Sequence, residues 1–400
     1  MRILLISPLP GIDPACGDVT YTQTLLEHPP TGVEYETYTS ALMRGALREH
    51  GTRNGLRDAV RLRQRLVREV ALLGTSRLVN AARQRKLLFW EPFRFFSVRP
   101  GEYDAVHVHV FSVRFMELDC PVVLSTAAPL RSLYLDARGY SHRRVAFMER
   151  CELALSRGLS VDSTSYRLRS TDRVIAITEF LKNWYVSRGI VPASKVDVIP
   201  VYLPSQAPAL TTPVAGRVGF VAKDFFAKGG PTLLKAWDLV RTERPDAQLW
   251  IAGGPACARP GDDAAGIRWL PYMPREELLN EVMPSFSVFA YPTQFDGMPL
   301  TVLEALALGT PVATSDYQAM PEIVPEGVAG LVSAVGDARG LANSILALLE
   351  PSMNAQFRTT ARAHFESTFS AAAVRPQLAQ AYKAAVARSP HPLAHQECLV

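Results

Sequence analysis

Two carboxylates and two ammonium groups carry the chemistry that this sequence offers most clearly. Asp296 and Glu304 stand eight positions apart in the stretch FDGMPLTVLEALALG, residues 295–309, and Lys223 and Lys228 stand five apart some seventy residues earlier. Residues 288–292 form a short apolar run suited to a buried strand, while Leu300, Leu303, Ala307 and Leu308 follow helical spacing. Pro299 is expected at the first helical position, where its missing N–H is no loss. The stretch therefore reads as strand, acidic-glycine turn and helix start. The free amides and positive dipole end of a helix start attract phosphate. Carboxylates beside an anion site suit a ligand rich in both hydroxyls and phosphate, which describes a nucleotide sugar. The plain alternative is a strand–turn–helix unit without a ligand.

Asp296-Gly297-Met298-Pro299, three further residues, Leu303-Glu304-Ala305 and then Gly309-Thr310-Pro311 resemble the paired-acid motif of the retaining GT-B glycosyltransferases of family 4, the group 1 glycosyltransferases. The family usually places Glu at the first acidic position, so Asp296 shortens the reach by one methylene. The resemblance implies an α/β protein of the GT-B type, two Rossmann-like domains facing a central cleft, and transfer of a sugar with retention. Lys223 and Lys228 have the spacing of the family's two cations that grip the donor diphosphate. With the amides at the start of the Leu300 helix, they would stabilise charge on the leaving group without a metal. Glu304 would bind the ribose hydroxyls, and Asp296 would hold the donor sugar near the reacting carbon. Gly297, Met298, Pro299, Leu300 and Thr301 line the donor side in this reading. Gly253, in a turn permitting close approach, and Tyr272 and Met273, near the nucleobase, complete it. No general base is evident, which fits a mechanism in which the leaving phosphate takes the acceptor's proton. A non-catalytic nucleotide-sugar binder and another GT-B enzyme such as a sugar phosphorylase stay open as alternatives. A dinucleotide-binding dehydrogenase is disfavoured, because no G-x-G-x-x-G opens the chain.

Four hundred residues with 48% apolar and 20% charged side chains suit two ordinary globular domains. No apolar run approaches the roughly eighteen residues of a spanning helix. MRILLISPLP reads as a first buried strand rather than a secretory signal. The five cysteines (Cys16, Cys120, Cys151, Cys257, Cys398) are scattered and never in a Cys-x-x-Cys pair, which suggests free thiols in a cytoplasmic protein.

The positioning elements follow in order. A strand over 2–7 leads through a loop to Gly17 and a helix over 19–27, a turn that could face phosphate, so Gly17 is a donor-side candidate. In the family this loop carries paired glycines, and here only Gly17 remains. Between 44 and 99 lie fourteen basic residues against four acids, although the whole chain is only +5. Ala59, Leu62, Leu66, Val70 and Leu73 give that stretch an amphipathic helix, and Phe89, Trp90, Phe93, Phe95 and Phe96 follow it. Peripheral contact with an anionic membrane surface, or with an acidic acceptor, is one reading. A solvated face over packed aromatics is the other, and nucleic acid is not expected.

Asp104, Val106, His107 and His109 match the family's Asp-Val-Val-His-x-His strand. The two histidines share a strand face, as a metal pair or, better, as hydrogen-bonded core. The family's histidine after the next strand is replaced by Ser125-Thr126-Ala127-Ala128. Residues 140–157 read as a helix, 276–282 as a short helix and 327–333 as a hairpin-like return, and residues 172–200 resemble the family's domain-closing segment. The expected division is an acceptor-side domain over 1–203 with a basic helical insert over 44–99, a linker over 204–214, a nucleotide-sugar domain over 215–370, a closing helix over 371–390 that packs back on the first domain, and a tail over 391–400. The acceptor itself, whether glycan, lipid-linked or small molecule, is not legible.

Overall fold

The computed structural model describes residues 1–7, 17–50, 94–109, 113–126, 168–203, 212–253, 265–271, 273–294 and 296–388. The first half forms a six-stranded, wholly parallel sheet in the order β2-β1-β5-β7-β8-β9. Its strands are β1 (Arg2–Ile6), β2 (Glu34–Thr37), β5 (Ala105–His109), β7 (Val122–Thr126), β8 (Arg173–Ala176) and β9 (Val196–Val198). Parallel strands are covered on both faces and so read as unbroken apolar runs. Ile3, Leu4, Leu5 and Ile6 are all fully buried. The second half repeats the plan in the order β12-β11-β10-β13-β14-β15, again all parallel. These strands are β10 (Arg217–Val221), β11 (Gln248–Ala252), β12 (Ile267–Leu270), β13 (Val288–Tyr291), β14 (Val312–Ser315) and β15 (Gly330–Ser333).

The helices used below are α1 (Gly17–Glu27), α2 (Tyr38–Met43), α3 (Glu179–Ser187), α4 (Gly230–Glu243), α5 (Leu300–Ala307), α6 (Met320–Ile323), α7 (Ala338–Leu349), α8 (Pro351–Thr368) and α9 (Ala371–Arg388). Thr178 caps α3 by accepting from the Leu181 amide, and Gly189 follows its end at φ 62°, the left-handed stop that favours glycine. The short helix expected at 276–282 is a single α turn, Arg275–Glu277, continued by a π turn and a 3-10 turn through Ser285.

Two expectations are corrected here. Residues 327–333, read as a hairpin-like return, instead contribute β15, paired parallel to β14. The intervening α6 carries the chain across, so β15 arrives in the same direction as its neighbour. Pro299 is the residue before helix α5, at φ −74° and ψ 109°, rather than its first turn. A small third sheet, unforeseen in the sequence, joins β3 (Leu47–His50), β4 (Arg94–Val98) and β6 (Val113–Glu117). It places Phe96 fully in the core. At its margins Arg44 pairs with Glu36 and Glu102, Arg94 with Glu49, and Arg99 with Glu102. Three of the four described arginines of the basic stretch are thus compensated within the chain. Its centre, including the helix expected at 59–73, lies outside the described residues, as do the helix expected at 140–157 and the tail over 391–400.

The chain passes between the halves at two adjacent points. Leu203 bridges Ser370, with the Leu203 amide donating to Phe369 and the Ala371 amide to Leu203. Beyond that point α9 lies against β5 and β7, and its Tyr382 is fully buried among first-half residues. A second link is electrostatic. Glu322 of α6 accepts from the amides of Glu179 and Phe180 at 2.7 and 3.1 Å, capping α3 from the other half of the molecule. A carboxylate there satisfies amides that the helix cannot and meets its positive end. Glu322→Ala is expected to lower stability by roughly 1 kcal/mol, read as a lower urea midpoint at unchanged slope.

Candidate functional site

In an open parallel sheet, ligands settle outside the carboxyl ends of the strands where the strand order reverses. In the second sheet that point lies between β10 and β13, since β10 has β11 on its other side. Both halves of the sequence signal emerge there. From β10 the chain runs through Lys223 and Asp224 into a tight turn, in which Asp224 accepts from the Ala227 amide and the Lys228 amide donates back to Asp224. Gly229 then enters α4 at φ 83°, and a Cβ on it would stand 1.8 Å from the Pro292 carbonyl oxygen. The turn is thereby pressed against the end of β13. Gly229→Ala meets a left-handed backbone and a main-chain clash together. It is expected to cost roughly 3 kcal/mol, seen as a lower denaturation midpoint.

From β13, Thr314 donates to the Tyr291 carbonyl and Ser315 to that of Thr293, fixing the strand's exit. Asp296 follows. Its Oδ2 accepts from Lys228 Nζ at 2.7 Å and from the Tyr291 hydroxyl at 2.6 Å. The Lys228 and Asp296 side chains are 20% and 15% exposed, sheltered but reachable. Burial and the neighbouring Asp296 carboxylate hold the Tyr291 phenol well above its ordinary pKa, so it stays a donor. Glu304, one face inward on α5, is 6% exposed and ion-paired with Arg275. Burial raises its pKa, and Arg275 opposes the rise.

The remaining candidates fall around this centre. Pro299, buried, precedes α5, and no side chain caps that end, so the amides of Leu300 and Thr301 lack partners inside the helix. Gly297, Leu300, Thr301 and Met273 are half-buried, and Met298 is buried. Gly253 ends β11 at φ 82°, and a Cβ there would come within 2.5 Å of the Ala222 carbonyl oxygen, so the residue is required by packing whatever else it does. Lys223 is exposed at the end of β10. Gly17 is the first residue of α1. Tyr272 lies outside the described residues. The structure therefore joins Lys228 to Asp296 and adds two partners that the sequence reading missed, Tyr291 and Arg275. Tyr291 could have been suspected from its place at a strand end five residues before Asp296. Arg275 stands 29 residues from Glu304, with no local signal to mark it.

The first sheet reverses between β1 and β5, and here too polar groups gather. His107 and His109 are fully buried. The Ser125 hydroxyl lies 2.8 Å from both His107 Nε2 and His109 Nδ1. Tyr382 reaches His107 Nδ1 at 2.7 Å, and Asp18 of α1 faces His109 Nε2 at 3.3 Å. The histidines are thus hydrogen-bonded to hydroxyls. Among the described residues no three His, Cys, Asp or Glu side chains are grouped to hold a metal ion.

The fold is that of the GT-B glycosyltransferases. The sucrose-phosphate synthase of Thermosynechococcus elongatus superposes over 97% of this chain and all of its own, at a TM-score of 0.59 and 18% identity. Anabaena HepE, solved in complex with UDP-glucose, does so over 96% of this chain at a TM-score of 0.57 and 14% identity. Residues 213–351, which hold every residue of the second-sheet site, match the family described as glycosyl transferases group 1. Among curated proteins, the D-inositol 3-phosphate glycosyltransferase of Mycolicibacterium smegmatis is 28% identical over 250 residues, 56% of each chain. The matched segments span between 21% and 56% of the curated relatives' own lengths. No described helix is long and apolar enough to cross a membrane.

Proposed function

We propose that this protein is a retaining glycosyltransferase that moves a sugar from a nucleotide-sugar donor to an acceptor hydroxyl. The observation that carries the reading is the Lys228–Asp296 pair at the reversal point of the second sheet, beside the uncapped start of α5. A lysine ammonium has three donors. Lys228 can keep its bond to Asp296 while giving another to a donor phosphate, so one group ties the diphosphate to the carboxylate that orients the sugar. Glu304, positioned by Arg275, would take the ribose hydroxyls. Lys223 and the Leu300 and Thr301 amides would neutralise the departing diphosphate in place of a metal. In the transfer step the bond from the anomeric carbon to the phosphate oxygen breaks. The bond to the acceptor oxygen forms on the same face, and the acceptor's proton passes to the leaving phosphate. The second half would then hold the donor and the first half the acceptor.

The reading draws support from relatives that act on or bind nucleotide sugars, among them the UDP-glucose complex of the Anabaena protein. A second reading, a binder without turnover, is favoured by one detail: both Lys228 and Tyr291 engage the same oxygen of the shortened acid. Release of nucleoside diphosphate from a panel of UDP- and GDP-sugars separates the two. Turnover that survives chelators establishes a metal-independent transferase, whereas tight binding with no release establishes the binder. Sedimentation with anionic liposomes at low and high salt tests the 44–99 stretch separately, because electrostatic attachment weakens with salt.

A further inference from the structure

At the other end of the second sheet, three strands bring two cations together without a counter-charge. Arg217 and Gln248 open β10 and β11 and stand opposite each other in the register, as do Trp250 of β11 and Arg268 of β12. Residues two apart along a strand share a face, so all four side chains project on one side of the sheet. There the Arg217 guanidinium lies over the Trp250 ring, 3.7 Å from its centroid, and the Arg268 guanidinium lies over the same ring at 4.5 Å. Asp246, which lies beside Gly216, is taken by Arg244. Burial and the like charge of Arg268 both pull the Arg217 guanidinium below its ordinary pKa, and no acid among the described residues offsets them.

Each donor has a direction. Arg217 Nε is buried without an acceptor, so that side of its fork is closed against the protein and only the Nη groups are left to face outward. Arg268 and Gln248 are exposed. Trp250 Nε1–H donates to Gln248 Oε1 at 3.3 Å. An indole nitrogen only donates, so the Gln248 carbonyl oxygen faces the ring and its amide nitrogen is turned away, free to donate. With two guanidiniums over it, the indole leaves little face for a ligand to stack on, and recognition falls to the edges. A carboxylate presents two oxygens in one plane and satisfies one guanidinium fork. A phosphate monoester has three terminal oxygens and a charge of about −1.5 to −2, so it can meet two forks and an amide and balance both arginines.

We propose that Arg217, Gln248 and Arg268 form a binding site for a phosphate monoester, with Trp250 as the platform that holds the two guanidiniums. Arg217 stands six residues before Lys223 on the strand that leads to the donor side, roughly 20 Å at the rise of a strand. The site is therefore separate from the one built on Lys228 and Asp296. Its occupant removes the repulsion between the arginines and ties the edge strand β12 to β11 and β10. The inference stands apart from the glycosyltransferase reading and does not need it.

The test uses the full chain at constant ionic strength, so that screening does not differ between probes. Calorimetry measures inorganic phosphate and glucose 6-phosphate, and sedimentation measures vesicles of phosphatidic acid in phosphatidylcholine. Arg268→Ala is expected to weaken binding at least tenfold, and Arg268→Lys to restore only part of it, because an ammonium lacks the fork. Equal urea midpoints in phosphate-free buffer show that these exposed substitutions leave the fold intact. Lys228→Ala, which removes the cation of the donor side, is expected to keep the phosphate affinity within twofold. Binding of the soluble probes assigns a soluble phosphate compound. Binding confined to phosphatidic acid vesicles, and lost in Arg268→Ala, assigns a lipid headgroup. Acetate that binds as tightly as phosphate overturns the phosphate class and points to an acidic polypeptide or glycan. Wild-type affinity in Arg268→Ala overturns the site, as does affinity that falls with Lys228→Ala instead, or the failure of every probe to bind at millimolar concentration. A protein that binds phosphate through Arg268 yet releases no nucleoside diphosphate loses only the glycosyltransferase reading.

Discussion

Lys228→Ala is expected to lower donor turnover by about 10²- to 10³-fold, the loss typical of removing one preorganised contact to a developing charge. Two effects add in the same direction. On the proposed reading the leaving diphosphate loses an ammonium held just before α4, and Asp296 loses one of the two donors that hold its Oδ2. The second effect can be isolated, because Tyr291→Phe removes the other donor and leaves the cation in place. A far smaller loss in Tyr291→Phe assigns the effect to charge on the phosphate, and equal losses assign it to the aim of Asp296. Stability should change little, since both members of the ion pair are partly exposed and such pairs contribute about 1 kcal/mol or less. Steady-state rates at saturating donor, compared with urea midpoints, separate function from folding.

Glu304→Gln is expected to separate function from folding in the opposite sense. If Glu304 holds the ribose hydroxyls, losing the charge removes hydrogen bonds worth about 1.5–3 kcal/mol. Donor affinity then falls roughly 10- to 100-fold. The fold should not suffer. Burial raises the folded-state pKa of Glu304 above its ordinary value of 4.5, the Arg275 guanidinium offsetting only part of the rise. A carboxyl raised in this way lends its stabilisation fully below the unfolded pKa and loses it as pH climbs through the folded one. The amide does not titrate. The stability difference between Glu304→Gln and wild type should therefore move in favour of the variant as pH rises from 4.5, then level off. Urea denaturation of both proteins across that range reads it directly, and a variant that grows less stable with rising pH contradicts this account. A difference that moves toward the variant as pH rises marks a carboxylate kept charged against its burial, a cost that serves the site rather than the fold.

What could be read from the chain, and what could not, divides along a physical line. Strands buried on both faces announce themselves as apolar runs, so the parallel sheets were legible through segments such as RILLI at β1 and VFAY at β13. The acids and lysines were legible because their spacing is local and repeats a known motif. Contacts made by folding were not. Arg275 finds Glu304, Glu322 finds α3, and Tyr382 finds His107 across separations that leave no trace in any short window. The small sheet escaped for a different reason. The strand LREH at β3 is short and mostly polar, and Phe96 looked like one more member of an aromatic run until β4 gave it neighbours. Pro299 was misplaced by one residue because proline suits both the first turn and the residue before it.

Helix α9, made of the last described residues, belongs by its contacts to the half that is synthesised first. On the ribosome the usual order is that leading domains finish before trailing ones emerge. Here that order is inverted: the leading half must wait with Tyr35 and His107 uncovered until Tyr382 leaves the exit tunnel. Cutting the gene at the midpoint therefore leaves the first half without Tyr382, and a faithful dissection requires a permuted gene in which 371–388 is translated next to 1–203.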